Sequence, residues 1–200
     1  MTLLTIAQEL AYNVGLQKPD AVAASGTREH QEILTYANLV GEELARRVDW
    51  GALQMDITLT GDGTNKVHDL GAGFSRITSG VGVMSGGRII RPLTRAEWGV
   101  LTPVEGAPRY FLLEGKALTL WPYLANGETV TVSAQMTSWC SNGIDKWSDD
   151  SETSLIDETL FLKGLIVRWR RQKGMEFADY EAEFEAALQD FATYDDRNRL

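Results

Sequence analysis

Apolar positions recur along this chain with two different periods. Over residues 2–50 the spacing is helical. Ile6, Leu10 and Val14 fall on one face, and Thr5 followed by Gln8 has the spacing of a capping box. Gly15 stops this helix, and residues 16–27 (LQKPDAVAASGT) read as a loop. A second helix is expected from about Thr27. Its apolar stripe is Ile33, Ala37, Val40, Leu44 and Val48, at spacings of four, three, four and four. It ends near Asp49-Trp50, with Arg46 and Arg47 in the last turn, where cations suit the helix dipole.

From Leu53 to about Cys140 the period shortens to two. LQMDITLTGDG alternates and then turns at Gly61-Asp62-Gly63, a hairpin signal. FSRITSGVGVMSGGRIIRPL predicts two short strands around a glycine-rich turn. RYFLLEG, KALTLWP and ETVTVSAQM predict three more, punctuated by Gly115 and YLANG. LTRAEWGVLTPVEGAP between them reads as a short helix and an irregular loop. Six or seven strands, mostly antiparallel, are therefore expected.

The helical period returns after Ser154 and Asp157, which suit a helix start. The run LIDETLFLKGLIVRWRRQ continues to Gly174, a C-terminal stop. A last helix carries Phe177, Tyr180, Phe184, Leu188 and Phe191, at spacings of three, four, four and three. The fold class that follows is α+β: N- and C-terminal helix pairs form a helical bundle, and a central, mostly antiparallel β domain is inserted in it. The expected divisions are residues 1–52 (helix pair), 53–147 (β domain), 148–191 (helical hairpin) and 192–200 (flexible tail).

Composition narrows the classes of function. The 200 residues carry 28 Asp and Glu against 19 Lys and Arg, a net charge of −9. A protein whose main task is to grip nucleic-acid phosphates would have the opposite balance. One cysteine, Cys140, permits no disulfide within the chain. The N-terminal MTLLTIAQEL lacks the basic segment of a signal peptide, and no apolar run approaches a membrane span. A protein made and kept in the cytoplasm, or assembled there, is expected.

Motifs for chemistry fail on spacing. His30, between Glu29 and Glu32, has no second histidine four residues on, so no zinc-binding helix motif is formed, and His68 stands alone in the β region. Ser79 and Ser85 lie outside a nucleophile elbow. The glycine-rich stretches match neither a dinucleotide fingerprint nor a phosphate loop. The carboxylate pairs Glu42–Glu43 and Asp149–Asp150 are chain neighbours, which seldom face one another as glycoside hydrolysis requires. No catalytic, cofactor or metal residue is assigned, and no cofactor is expected. Two groups remain. Trp98, Tyr110, Trp121, Tyr123, Trp139 and Trp147 suit a core, a subunit interface or a platform for sugar rings. Arg168, Trp169, Arg170, Arg171 and Lys173 form a basic cluster that suits the end of a helix or an acidic partner.

Four features of this layout carry a family resemblance. They are Asp49-Trp50 ending the second helix, Gly106-x-Pro108-x-Tyr110 entering the strands, Leu120-Trp121-Pro122 leaving them, and the Gly174 break before FADYEAEF. In this order they resemble the head-to-tail adaptor proteins of tailed bacteriophages and related gene transfer agents, over nearly the whole chain. The resemblance implies a structural protein and not an enzyme: a homo-oligomeric ring, expected to be a dodecamer, under the portal of a DNA-filled head. A tail, stopper or nozzle protein would bind below, with an axial channel through which DNA passes without specific binding and no membrane partner. It implies portal contacts from the C-terminal stretch, with Arg197, Arg199 and Leu200 as anchors and Arg168 and Arg171 as further candidates. Trp98, Tyr110, Trp121 and Tyr123 would then face neighbouring subunits. The rival class is a carbohydrate-binding or cell-wall-hydrolysing β-domain protein.

Overall fold

Thr2, and not Thr5, starts the first helix. The Thr2 hydroxyl accepts from the Thr5 amide at 3.3 Å and caps α1 (Leu3–Val14), while Gln8 donates to the Pro19 carbonyl at 2.9 Å instead of closing a capping box. Gly15, at φ 74°, ends the helix in the left-handed region that only glycine enters without strain. Thr27 caps α2 (Arg28–Arg47). Trp50 is buried beyond its end and donates its indole N–H to the Leu44 carbonyl at 2.7 Å.

The computed structural model describes residues 1–80 and 82–197. The chain divides into two units: Met1–Leu53 with Thr137–Leu200, and Gln54–Met136. Among the described residues the fold is α+β, with five α-helices and a mostly antiparallel sheet.

In the first unit, α4 (Glu158–Gln172) is capped by Asp157, whose carboxylate accepts from the Thr159 and Leu160 amides at 2.9 and 3.1 Å. Helix α4 touches α1, α2 and α5 (Ala178–Arg197). One apolar cluster takes Leu3, Ile6 and Leu10 from α1, and Ile33, Val40 and Leu44 from α2. Leu160, Phe161, Leu165 and Trp169 from α4, with Phe184 and Leu188 from α5, also belong to it. The expected aromatic seam is therefore core at Phe184 and Leu188 and half-buried at Tyr180 and Phe191. Helix α5 runs to Arg197, past the end expected at Phe191. Asp195 explains the extension: its carboxylate accepts from the Gly51 amide at 2.6 Å and ties the last turn down.

Residues 137–157 also belong to this unit, so the β region closes at Met136 and not at 147. Trp139, Cys140 and Trp147 are buried there. The Trp139 ring lies 5.3 Å from Trp147 and 5.4 Å from Phe161, centroid to centroid. Backbone bonds from Leu3 to Glu152 (2.9 Å) and from Leu155 to Trp139 (2.8 Å) fix the segment. Trp139 packs directly on α2 at Gly41. A Cβ at that position would stand 2.2 Å from Trp139 Cζ2.

The second unit holds eight strands: β1 (Gln54–Thr60), β2 (Val67–Asp69), β3 (Phe74–Ile77), β4 (Val83–Ser85), β5 (Arg88–Pro92), β6 (Tyr110–Glu114), β7 (Ala117–Trp121) and β8 (Thr129–Met136), with the short α3 (Arg95–Trp98) after β5. Their order is β1-β8-β4-β5-β6-β7-β2, with β3 beside β8. Strand β8 is the spine. It pairs with β1 over the whole of β1 on one edge and with β3 and β4 on the other. Among the described residues, β5 and β6 are the strand pair that runs parallel.

Two sequence expectations change here. The stretch 74–92 forms three strands, because Gly86 and Gly87, both at positive φ, make the two-residue turn that pairs β4 with β5. Residues 61–63 do not form a hairpin, since β1 pairs with β8 and β2 with β7. Asp62 instead accepts from the Thr64 and Asn65 amides at 2.8 and 2.7 Å. Those bonds push its pKa down to about 2. Gly61 is required by close approach, as its Cβ would meet the Ala125 carbonyl at 2.3 Å.

Gly41→Ala tests the packing of Trp139. The added methyl has no space, and overpacking of this kind costs about 1–3 kcal/mol or more. Urea unfolding should show a loss of at least about 2 kcal/mol. Gly164→Ala, whose Cβ would meet Phe184 and Val40 at 3.0 Å, should cost less. Equal costs would show that Trp139 moves aside freely.

Candidate functional site

The basic cluster at the end of α4 is engaged within the chain. Arg168 Nη1 lies 3.7 Å from Glu43 Oε2 on α2, and Arg171 pairs with Glu181 on α5. Arg170 donates to the Glu176 carbonyl at 2.6 Å and stacks on Tyr180, 4.2 Å from the ring centroid. Lys173 pairs with Glu32 and lies over Trp169. Beside them Arg47 forms a fork with Glu185, with bonds of 2.7 and 2.5 Å. This bond holds the Glu185 carboxyl below its ordinary range and the Arg47 guanidinium above its own. A cleft of about 170 Å³ among Glu43, Arg168, Arg171, Phe184 and Glu185 thus has walls of both charges. The cluster fastens α4 to α2 and α5, and a docking partner would have to displace those carboxylates.

The aromatic candidates separate. Trp139 and Trp147 are core of the helical unit, which removes them from any platform. Trp98, Tyr110, Trp121 and Tyr123 are all half-buried in the sheet unit. Tyr110 and Trp121 face one another across β6 and β7 and stack at 5.8 Å. The Arg91 guanidinium lies 5.4 Å from the Tyr110 centroid, and the Trp121 indole donates to the Thr102 carbonyl at 2.7 Å. Lys66 stands over Tyr123, and Trp98 ends α3.

The titratable candidates have local tasks. His30 Nδ1 lies 2.7 Å from Ser25 Oγ. His68 stands opposite Leu118 in the sheet, and burial pushes its pKa down. Burial, reinforced by Glu152 and Asp145, pushes the Cys140 thiol up to about 12, which makes it a poor nucleophile. Asp150 accepts from the Val22 and Ala23 amides at 3.0 and 2.9 Å, Asp149 from the Ser151 amide at 2.8 Å, and Glu42 pairs with Arg46. Among the described residues no group of three or more His, Cys, Asp or Glu is placed to hold a metal ion. No helix described is long and apolar enough to cross a membrane.

Of the C-terminal anchors, Arg197 closes α5, and Arg199 and Leu200 lie outside the described residues. Sequence reasoning missed Arg88 and Arg109. They line a cleft of about 460 Å³ with Ile89, Ile90, Ala107 and Pro108. Strand pairing across β5 and β6 creates this site, and neither arginine belongs to a motif.

Compared with models of protein families, residues 1–200 match the one described as SU10 adaptor protein. No curated protein matches the chain.

The Arg47–Glu185 fork predicts a pH signature. A carboxylate whose pKa is lowered on folding adds stability above its unfolded value and loses it as pH falls through the folded one. Glu185→Gln should therefore lower stability at pH 7, by less than about 1 kcal/mol because the pair is solvent-screened. The gap to the unaltered protein should close in acid, below the ordinary carboxylate range. Urea midpoints across pH check this, and a gap that persists at low pH would assign the effect to packing.

Proposed function

Because the chain belongs to the SU10 adaptor protein family of structural phage proteins, we propose that it joins the portal of a tailed phage, or of a phage-like particle, to the tail. Copies close into a dodecameric ring at the head–tail junction of the virion, assembled in the host cytoplasm. The portal binds one side, a tail, stopper or nozzle protein binds the other, and the genome crosses the axial channel. The match over residues 1–200 carries this reading.

The charge distribution supports it. The helical unit holds twenty-one Asp and Glu against twelve Lys and Arg, and the sheet unit seven of each. The excess of −9 is thus confined to the helical unit, where fixed negative charge repels phosphates and lets DNA pass without retention. In the ring, Trp98, Tyr110, Trp121 and Tyr123 complete their burial against neighbouring subunits. Half-buried aromatic rings gain most from such contacts.

Arg197, Arg199 and Leu200 are the proposed portal anchors. Arg168 and Arg171 enter the contact only by exchanging Glu43 and Glu181 for portal carboxylates, which makes the C-terminal stretch the primary determinant. Ending the chain after Arg197 keeps the Asp195–Gly51 bond, so the melting temperature should stay unchanged. Capture by purified portal rings, read by sedimentation, should be lost, and Arg197→Glu in the full chain should weaken it. Unaltered capture of both variants would refute the anchors. A full-length chain that remains monomeric with and without portal rings would refute the ring.

A further inference from the structure

The cleft between the β4–β5 hairpin and residues 107–109 has the features of a docking surface. Arg88 and Arg109 are exposed on its walls, and neither has an ion-pair partner among the described residues. Their neighbours differ: Arg95 pairs with Glu114 at 2.5 Å, and Arg91 stacks on Tyr110. Ile89, also on the lining, is 65% exposed, while Ile90 and Pro108 are buried. The hairpin tip beside them is Gly86-Gly87, which has no side chains to keep another backbone away. A cleft lined by free planar cations and an exposed apolar residue matches a carboxylate-bearing segment with an apolar body.

We propose that this cleft receives an acidic segment from the helical unit of a second copy of the chain. The occupant follows from charge. The sheet unit is neutral overall, so its free arginines find no general excess of acid within it. The helical unit carries the whole net charge of −9. Every copy thus brings an acidic unit and a cleft for acid, and the two surfaces differ. Such a contact is head-to-tail and generates rings when its rotation closes. The inference rests on the ring-forming reading above and adds the polarity of the subunit contact.

Full-length protein with p-benzoylphenylalanine at Ile89 is crosslinked, alone and on portal rings, and the crosslinks are mapped. Assembly of the Arg88→Glu/Arg109→Glu variant is measured by mass photometry across salt concentrations. Crosslinks should fall in residues 1–53 or 137–200 of another copy. Charge reversal should raise the concentration needed for assembly about tenfold or more, and reversing the mapped acidic residue should restore it. Salt should weaken assembly of the unaltered protein. Crosslinks to another copy's sheet unit, to portal or tail protein or to DNA, or none from assembled protein, would overturn the proposal, as would normal assembly of the double variant. If the double variant misfolds, the Ile89 crosslinks decide alone. Rings that form without this contact leave the adaptor reading standing. Failure of the unaltered protein to form rings, alone or on portals, removes both.

Discussion

Trp139 occupies the space where any residue but glycine at position 41 would place its Cβ. Much of the helical unit depends on that contact. The chain leaves the unit after Leu53 and returns at Thr137. Trp139 is among the first side chains of the returning strand, and it is fully buried against α2, Trp147 and Phe161. An insertion of this kind closes a long loop, whose entropic cost grows only slowly with length. The closure must still be fixed at a definite point. A large flat ring pressed on a bare backbone fixes it more sharply than two interdigitating aliphatic chains would, because the ring cannot slide along the helix without meeting the side chains on either side.

The elements that were legible in the sequence are those specified locally. The stripe of α2, the caps at Thr27 and Asp157, the Gly174 stop and strands β6, β7 and β8 all follow from residues within a turn or two of each other. The failures are non-local. Strand β2 has three residues and exists because β7 offers an edge. The partner of β1 is β8, at the other end of the sheet unit in sequence, so the glycines after β1 imitate a hairpin that never forms. Trp139 and Trp147 belong to the helical core although they follow the last strand directly. The same limit applies to the candidate surfaces. The basic cluster was visible, but its partners Glu32, Glu43 and Glu181 stand on two other helices. Arg88 and Arg109 were invisible because only the β5–β6 pairing makes them neighbours.

Electrostatics in the helical unit follow one pattern. Cations of α4 are spent internally, each against a carboxylate, a carbonyl or an aromatic face, while the larger number of acids leaves the unit negative. Each exposed pair contributes little stability, and their shared effect is to fix how α2, α4 and α5 meet. The arginines of α4 are thus held within the unit, while Lys18 and Lys146 stand exposed elsewhere on it.

The end of α5 adds a geometric constraint to the proposed portal contact. Asp195 stands at a helix C-terminus, where the dipole disfavours negative charge. Asp195 offsets this by accepting the Gly51 amide, which fixes the last turn to the segment that leaves α2. Tyr194, 67% exposed in this last turn, would stand beside any portal surface that meets the end of α5.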